Sequence, residues 1–378
     1  MSPRLLIRSA AILVIVVAAV QATSYGVFSS NVTSPSPEVF IKDFISKPLS
    51  IDKIYPSMRG PYDKVIAVLD EVSDPEPVWI KNMEFIPLDN DGNEQPSDKH
   101  LCHGQVLFDD MKDFSETNSM GFHRDRTLPR KVFTGVQGQL DLPLPEGFGI
   151  PVYTDEPLEV VMMAFNLDPE LEPFDMRVKT RVSYIKDSDT TEPMKALGKS
   201  AIDITLPISD EAFHDKKSGH SACGVTLDDQ LLTGRHAVDS TANLRNIGNG
   251  QKGTNHFLVE PGLHEYKYQI DGSAIVPFDT TVHMITGHLH PYGDFLELTD
   301  LTTGEVVFVS HALPNEEFHY VQQMTSYSSA EGIPFFVDHE YEYRAVYDNT
   351  SDKEIDAMAV MYFYFHDKVF DREFAVGS

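Results

Sequence analysis

Two cysteines in 378 residues are too few for a disulfide-built scaffold. Cys102 and Cys223 allow one bridge at most, and two buried thiols are the alternative. Basic residues are also scarce: 30 Lys and Arg stand against 58 Asp and Glu, a formal net charge of −28. A surface of that sign repels phosphate backbones and anionic headgroups, which argues against nucleic acid or an anionic membrane surface as partner. Long apolar runs are missing apart from one near the start, Ala10 to Val20, preceded by Arg4 and Arg8. That run is shorter than the roughly 20 residues needed to cross a bilayer. With its basic flank and the small residues around Ala22 it reads as a signal peptide over 1–22, which implies a secreted protein. Retention of residues 5–20 as an anchor is the alternative, and the one route by which a membrane enters. Long helical periodicity, a Ser-His-Asp spacing, an HExxH helix and a phosphate-cradling glycine loop are all absent; "TGVQGQL" and "GNGQKG" are too loose for nucleotide loops.

What the chain does have is many short apolar runs broken by turn residues. "KVIAVLDEV", "VWIKNMEFIPL", "LEVVMMAFNL", "MRVKTRVSYIKD", "HEYKYQID", "TTVHMITGHLH", "EYEYRAVYDN" and "AMAVMYFYFHD" are rich in β-branched and aromatic residues. "MRVKTRVSYI" alternates, with Val178, Val182 and Tyr184 against Lys179, Arg181 and Ser183. Strands at this spacing predict an all-β chain of two tandem antiparallel β-sandwiches. The expected division is a linker or extended arm over 23–60, one sandwich over 61–205, an irregular Gly-, Ser- and Asn-rich crossover over 206–255, and a second sandwich over 256–370. Two sequons, Asn31-Val32-Thr33 and Asn349-Thr350-Ser351, fit a secreted glycoprotein.

The segment "TTVHMITGHLHPYGDF" carries the chemistry. His288 and His290 are two residues apart at the end of a predicted strand, so they project to one side. Two neutral imidazoles on one face are a metal-ligand pair. The third donor has three candidates: Met358, Met361 and His256. A thioether is soft and favours copper(I), whereas a Met on a strand also serves simply as core packing. His214, His220 and Cys223 form a string in a polar loop, where solvation is the simpler reading. His283 lies five residues before His288 and on a regular strand faces the other way.

The stretch "DTTVHMITGHLHPYGDFLELTDLTTGEVVF" resembles the second-domain HxH segment of the type II copper, ascorbate-dependent monooxygenases. "LPLPEGFGIPVYTDEPLEVVMMAFNLD", "HFLVEPG", "YSSAEGIP" and "EYRAVYDNTSDKEIDAMAVMYFYF" extend the likeness over most of 75–368. The resemblance implies two jelly-roll-like sandwiches. In the second, copper is bound by His288, His290 and a Met, with ascorbate as reductant and a small apolar substrate. Matching the "MY" pair puts Ile355 where that Met stands, and Met358 takes the place only with a shift or bulge. The first copper site departs further. "HLCHG" puts Cys102-His103 where a His-His pair is expected, with His100 upstream, and Ala164 or Phe165 occupies the place of the later His. Three readings follow: a secreted copper-dependent monooxygenase-like enzyme with a degenerate first site, a non-catalytic metal-binding or interaction protein on the same scaffold, and a structural sandwich pair with the HxH as a packed remnant.

Overall fold

The computed structural model describes residues 37–371 except 56–59, 72–73, 96, 109–130, 167, 169–170, 208–243, 247–251 and 316–319. Residues 1–22, expected to be a signal peptide, lie outside the described residues, as do Asn31, His214, His220, Cys223 and most of the expected 206–255 crossover. The described elements are strands apart from two 3-10 turns, Asp187–Asp189 and Gly272–Ala274, and one helical turn at 368–371. The chain is all-β, as its punctuated apolar runs predict.

One large sheet runs through the molecule. Its strands lie in the order Phe40–Ile45, Phe174–Lys186, Pro77–Asp89, Phe148–Tyr153, Lys195–Asp203, Ala359–His366, Thr280–Leu289 and Tyr327–Phe335, with Leu49–Ile51 also paired to Phe174–Lys186. The first five come from before residue 206 and the last three from after residue 279. The seam is antiparallel, from Leu197↔His366 to Asp203↔Val360. A four-stranded sheet (Tyr62–Ala67, Leu158–Ala164, Leu101–Phe108, Lys131–Val136) shares one core with the large sheet. A five-stranded sheet (Gly262–Asp271, Glu340–Asn349, Gly293–Asp300, Glu305–Pro314, Val321–Met324) shares a second. The two sandwiches therefore have a sheet in common.

Strand Ala359–His366 shows how sequence produces this. Its run "AVMYFYF" has no polar alternation, the pattern of a strand buried on both faces. Val360, Tyr362 and Tyr364 belong to the first core, and Met361, Phe363 and Phe365 to the second. Two glycines make room in the first core. A Cβ on Gly104 or Gly135 would lie 2.1 or 2.3 Å from the ring of Phe85, so the strands at 101–108 and 131–136 close down on an aromatic face.

Three expectations gain structural detail. The arm over 23–60 contains two strands, because alternation in Phe40–Ile45 and the apolar ends of Leu49–Ile51 bury Phe44, Leu49 and Ile51 against Phe174–Lys186. Asn349 is buried, and its amide nitrogen donates to the carbonyls of Val259 (2.9 Å) and Lys353 (2.7 Å). Its side chain stitches a turn. His283 is the extra residue of a bulge between Val282 and Met284, so simple alternation with His288 does not hold. Its ring stacks on Phe148 at 3.8 Å.

Candidate metal centre

The strand carrying the HxH pair is antiparallel to Ala359–His366, with His288↔Val360 and Leu289↔Ala359 as the last rungs. The chain then turns. Gly293 N–H donates to the His290 carbonyl at 3.1 Å, with Pro291 and Tyr292 between them. Tyr292, with φ of 70°, is the one non-glycine residue at positive φ among the described residues. Pro at the second turn position and positive φ at the third define a type II turn, in which glycine or asparagine is the unstrained choice at the third. The turn ends the strand at His290 and leaves its side chain in the interior.

Three elements meet there. His256 immediately precedes strand Phe257–Val259, which pairs with Ile355–Ala357 through Leu258↔Asp356. His256, His290 and Asp356 are 7 %, 4 % and 3 % exposed, and one ligand atom from each lies within 4.8 Å of the others. The Asp356 carboxylate organises the group. His256 Nδ1 lies 3.1 Å and His290 Nδ1 3.0 Å from the same oxygen, Oδ2. His290 Nδ1 is also 3.3 Å from the Asp356 carbonyl oxygen. Burial pushes the Asp356 carboxyl up, but the charges and hydrogen bonds of His256 and His290 outweigh it and hold it well below the usual carboxylate range. Buried carboxylates persist only when paired or metal-bound, and this one has two imidazole partners.

His288 completes the cluster. Its ring centroid is 5.2 Å from that of His290, which is in turn 5.4 Å from that of His256. His288 keeps some exposure, yet its Nδ1 is sealed from solvent without a hydrogen-bond partner among the described residues. Burial drives its pKa well down. The neighbouring His290, His103 and His256 add to this, and Asp356 pulls the other way. A neutral imidazole with an uncommitted nitrogen is the form a metal takes as ligand. The donors brought together are thus imidazole nitrogens and a carboxylate.

His288 and His290 share the cluster, and His256, one of three candidates for third donor, joins them. Met358 lies between strands Ile355–Ala357 and Ala359–His366. Its side chain packs against the first core, and its carbonyl accepts the Tyr347 hydroxyl at 2.7 Å. Met361 is fully buried in the second core and pairs with Gly287. Asp356 escaped the sequence reading. Its signal is an acid in the apolar run "IDAMAVM", where an unpaired charge is costly.

In the first sandwich, His103 is buried with Nδ1 3.3 Å from the Cys102 sulfur. It pairs across the ladder with Met163, while Leu101 pairs with Ala164. Cys102, Met163 and Phe165 pack as a small apolar cluster. His100 sits edge-on to Phe174 at 5.1 Å.

No known family profile and no curated protein matches the chain. Among solved structures, it is similar to the STIV MCP at 7 % identity and a TM-score of 0.30, covering 89 % of this chain and 98 % of that one. It is also similar to PNGF-II at 8 % identity and a TM-score of 0.31, covering 86 % and 65 %. A secreted protein described as putative from Parabacteroides distasonis aligns at 8 % identity and a TM-score of 0.19, covering 86 % and 89 %.

Proposed function

We propose that this chain is a metal-binding double β-sandwich protein whose centre is His256, His290 and Asp356, with His288 as a further donor. One observation carries the reading: a single buried carboxylate oxygen lies about equally far from the Nδ1 atoms of two buried histidines, with a third imidazole alongside. Separations of 3.0 and 3.1 Å suit a direct N–H···O bond. They also suit two bonds of about 2.1 Å to one ion at a right angle, a length typical of nitrogen and carboxylate ligands. Asp356 therefore serves either as ligand or as the group that fixes both ring orientations, the usual outer partner of a ligating histidine.

Copper is the ion we propose, on two grounds. Nitrogen and oxygen donors bind Cu²⁺ most tightly among first-row divalent ions, and the sequence resembles copper enzymes around His288 and His290. The carboxylate moves the preferred oxidation state away from the copper(I) that a thioether selects. A bound copper ion would supply redox and Lewis-acid chemistry. The chain's part is to keep the His288 imidazole neutral through burial, to orient the His256 and His290 rings through Asp356, and to shield the centre from solvent.

The test is metal content. Protein purified without chelator and dialysed against Cu²⁺ should hold one copper per chain by mass spectrometry. His290→Ala and Asp356→Ala should each lose it while keeping the β-sheet circular dichroism of the parent. Wild-type protein that holds no stoichiometric copper sinks the reading. A secreted, ascorbate-dependent monooxygenase is the second reading, favoured by the partial exposure of His288. It predicts ascorbate-dependent oxygen uptake by the copper-loaded protein, abolished in His288→Ala.

A further inference from the structure

The backbone ladder between Thr280–Leu289 and Ala359–His366 stops at Leu289↔Ala359. The next rung in register would join His290 to Met358. A side chain from the opposite sheet makes that rung instead. His290 N–H donates to the Tyr347 hydroxyl oxygen at 3.2 Å, and the Tyr347 hydroxyl donates to the Met358 carbonyl at 2.7 Å. Tyr347 comes from strand Glu340–Asn349 of the five-stranded sheet and is fully buried. Its phenol sits between two strands that would otherwise bond directly. The spliced oxygen separates the strand ends at the place where His290 on one, and Asp356 two residues before Met358 on the other, must present side chains to each other.

We propose that Tyr347 is a positioning residue for the metal centre, its hydroxyl fixing the separation of His290 from the Asp356–Met358 segment. The inference rests on the metal reading above. The hydroxyl donates to the Met358 carbonyl while accepting from the His290 N–H. Two satisfied hydrogen bonds at a fully buried oxygen give the rung a defined length. Without the hydroxyl, the His290 amide and the Met358 carbonyl are left to find each other or go unpaired, and either outcome moves the His290 ring relative to Asp356.

The experiment compares Tyr347→Phe with Tyr343→Phe. Tyr343 is on the same strand and equally buried, and its hydroxyl has no hydrogen-bond partner among the described residues. Cu²⁺ titration of the metal-free proteins and the copper EPR spectrum are the readouts, with apo-protein melting as the fold control. Tyr347→Phe should bind Cu²⁺ about 10- to 100-fold more weakly, the usual effect of losing a group that orients a ligand. Its EPR parameters should change, while Tyr343→Phe keeps the wild-type affinity and spectrum. Wild-type affinity and spectrum in Tyr347→Phe overturn the inference. Equal losses in both variants also overturn it, because they reduce Tyr347 to general packing. If wild-type protein binds no Cu²⁺, the metal reading falls and takes this inference with it. Should Tyr347→Phe fail to fold, 3-fluorotyrosine at 347 keeps the shape and alters the hydroxyl's donor and acceptor strength. It must then shift the EPR spectrum, and an unchanged spectrum counts against the role.

Discussion

Replacing Asp356 by Ala in the metal-free protein isolates what the carboxylate does before any ion is bound. The side chain is 3 % exposed, and its Oδ2 is 3.1 and 3.0 Å from the Nδ1 atoms of His256 and His290. Each hydrogen bond to a charged group contributes about 1.5–3 kcal/mol. Alanine removes both and leaves two buried imidazole N–H groups facing a small void. The expected destabilisation is about 3–5 kcal/mol, the range seen when one partner of a buried pair is deleted. Against a total of roughly 5–15 kcal/mol, that is a large fraction. Urea unfolding in excess chelator, followed by tryptophan fluorescence and circular dichroism, gives the number. A cycle with His256→Ala separates the pair: the coupling should be about 1.5–3 kcal/mol and should vanish if the two groups do not meet. A loss below about 1 kcal/mol for Asp356→Ala refutes the arrangement, because the carboxylate would then have to be solvated.

Met361→Leu should cost less than about 1.5 kcal/mol and leave metal content unchanged, because Met361 sits in the second core and the swap conserves volume; loss of metal would make it a ligand. Gly104→Ala should be strongly destabilising, since its Cβ would lie 2.1 Å from the Phe85 ring. Phe85→Leu in the same background should recover part of the loss by chemical denaturation, and no recovery would place the strain elsewhere. Acid should destabilise the apo-protein partly through His100, whose pKa burial lowers to about 4, with Lys99 adding to it. The folded value lies below the unfolded one of about 6.5, so the unfolded chain takes the proton first. The contribution is unaffected above about pH 6.5 and is lost as pH falls from there towards 4. At pH 5.5 this amounts to roughly 1 kcal/mol after allowance for partial exposure. His100→Phe should flatten the wild-type dependence of urea midpoint on pH in that window, and parallel curves would count against it.

The all-β class was legible because strand runs and turn residues recur throughout, and "AVMYFYF" shows by its lack of alternation that it is buried on both faces. The shared sheet was not legible. Pairing of Lys195–Asp203 with Ala359–His366 joins residues about 160 apart, and register over that span is set by both cores rather than by local pattern. At the site, period-two geometry brought His288 and His290 together, and His256 stood among the candidates for third donor. Asp356 was not legible as a donor, because the softer thioethers of Met358 and Met361 lie on the same run and nothing local links position 356 to 256. Tyr347 was invisible for a similar reason: its role depends on where another strand's ladder stops. The sequon at Asn349 reads identically on paper whether its amide points to solvent or into a turn.

Anomalous diffraction at the copper edge from crystals of the copper-loaded protein tests the centre most directly. The account predicts one strong peak per chain within about 2.0–2.3 Å of nitrogens from His256 and His290, with Asp356 bound to the ion or to a ring Nδ1–H. A peak held by His288, His290 and the Met358 sulfur with His256 and Asp356 remote, or no peak at all, would contradict it.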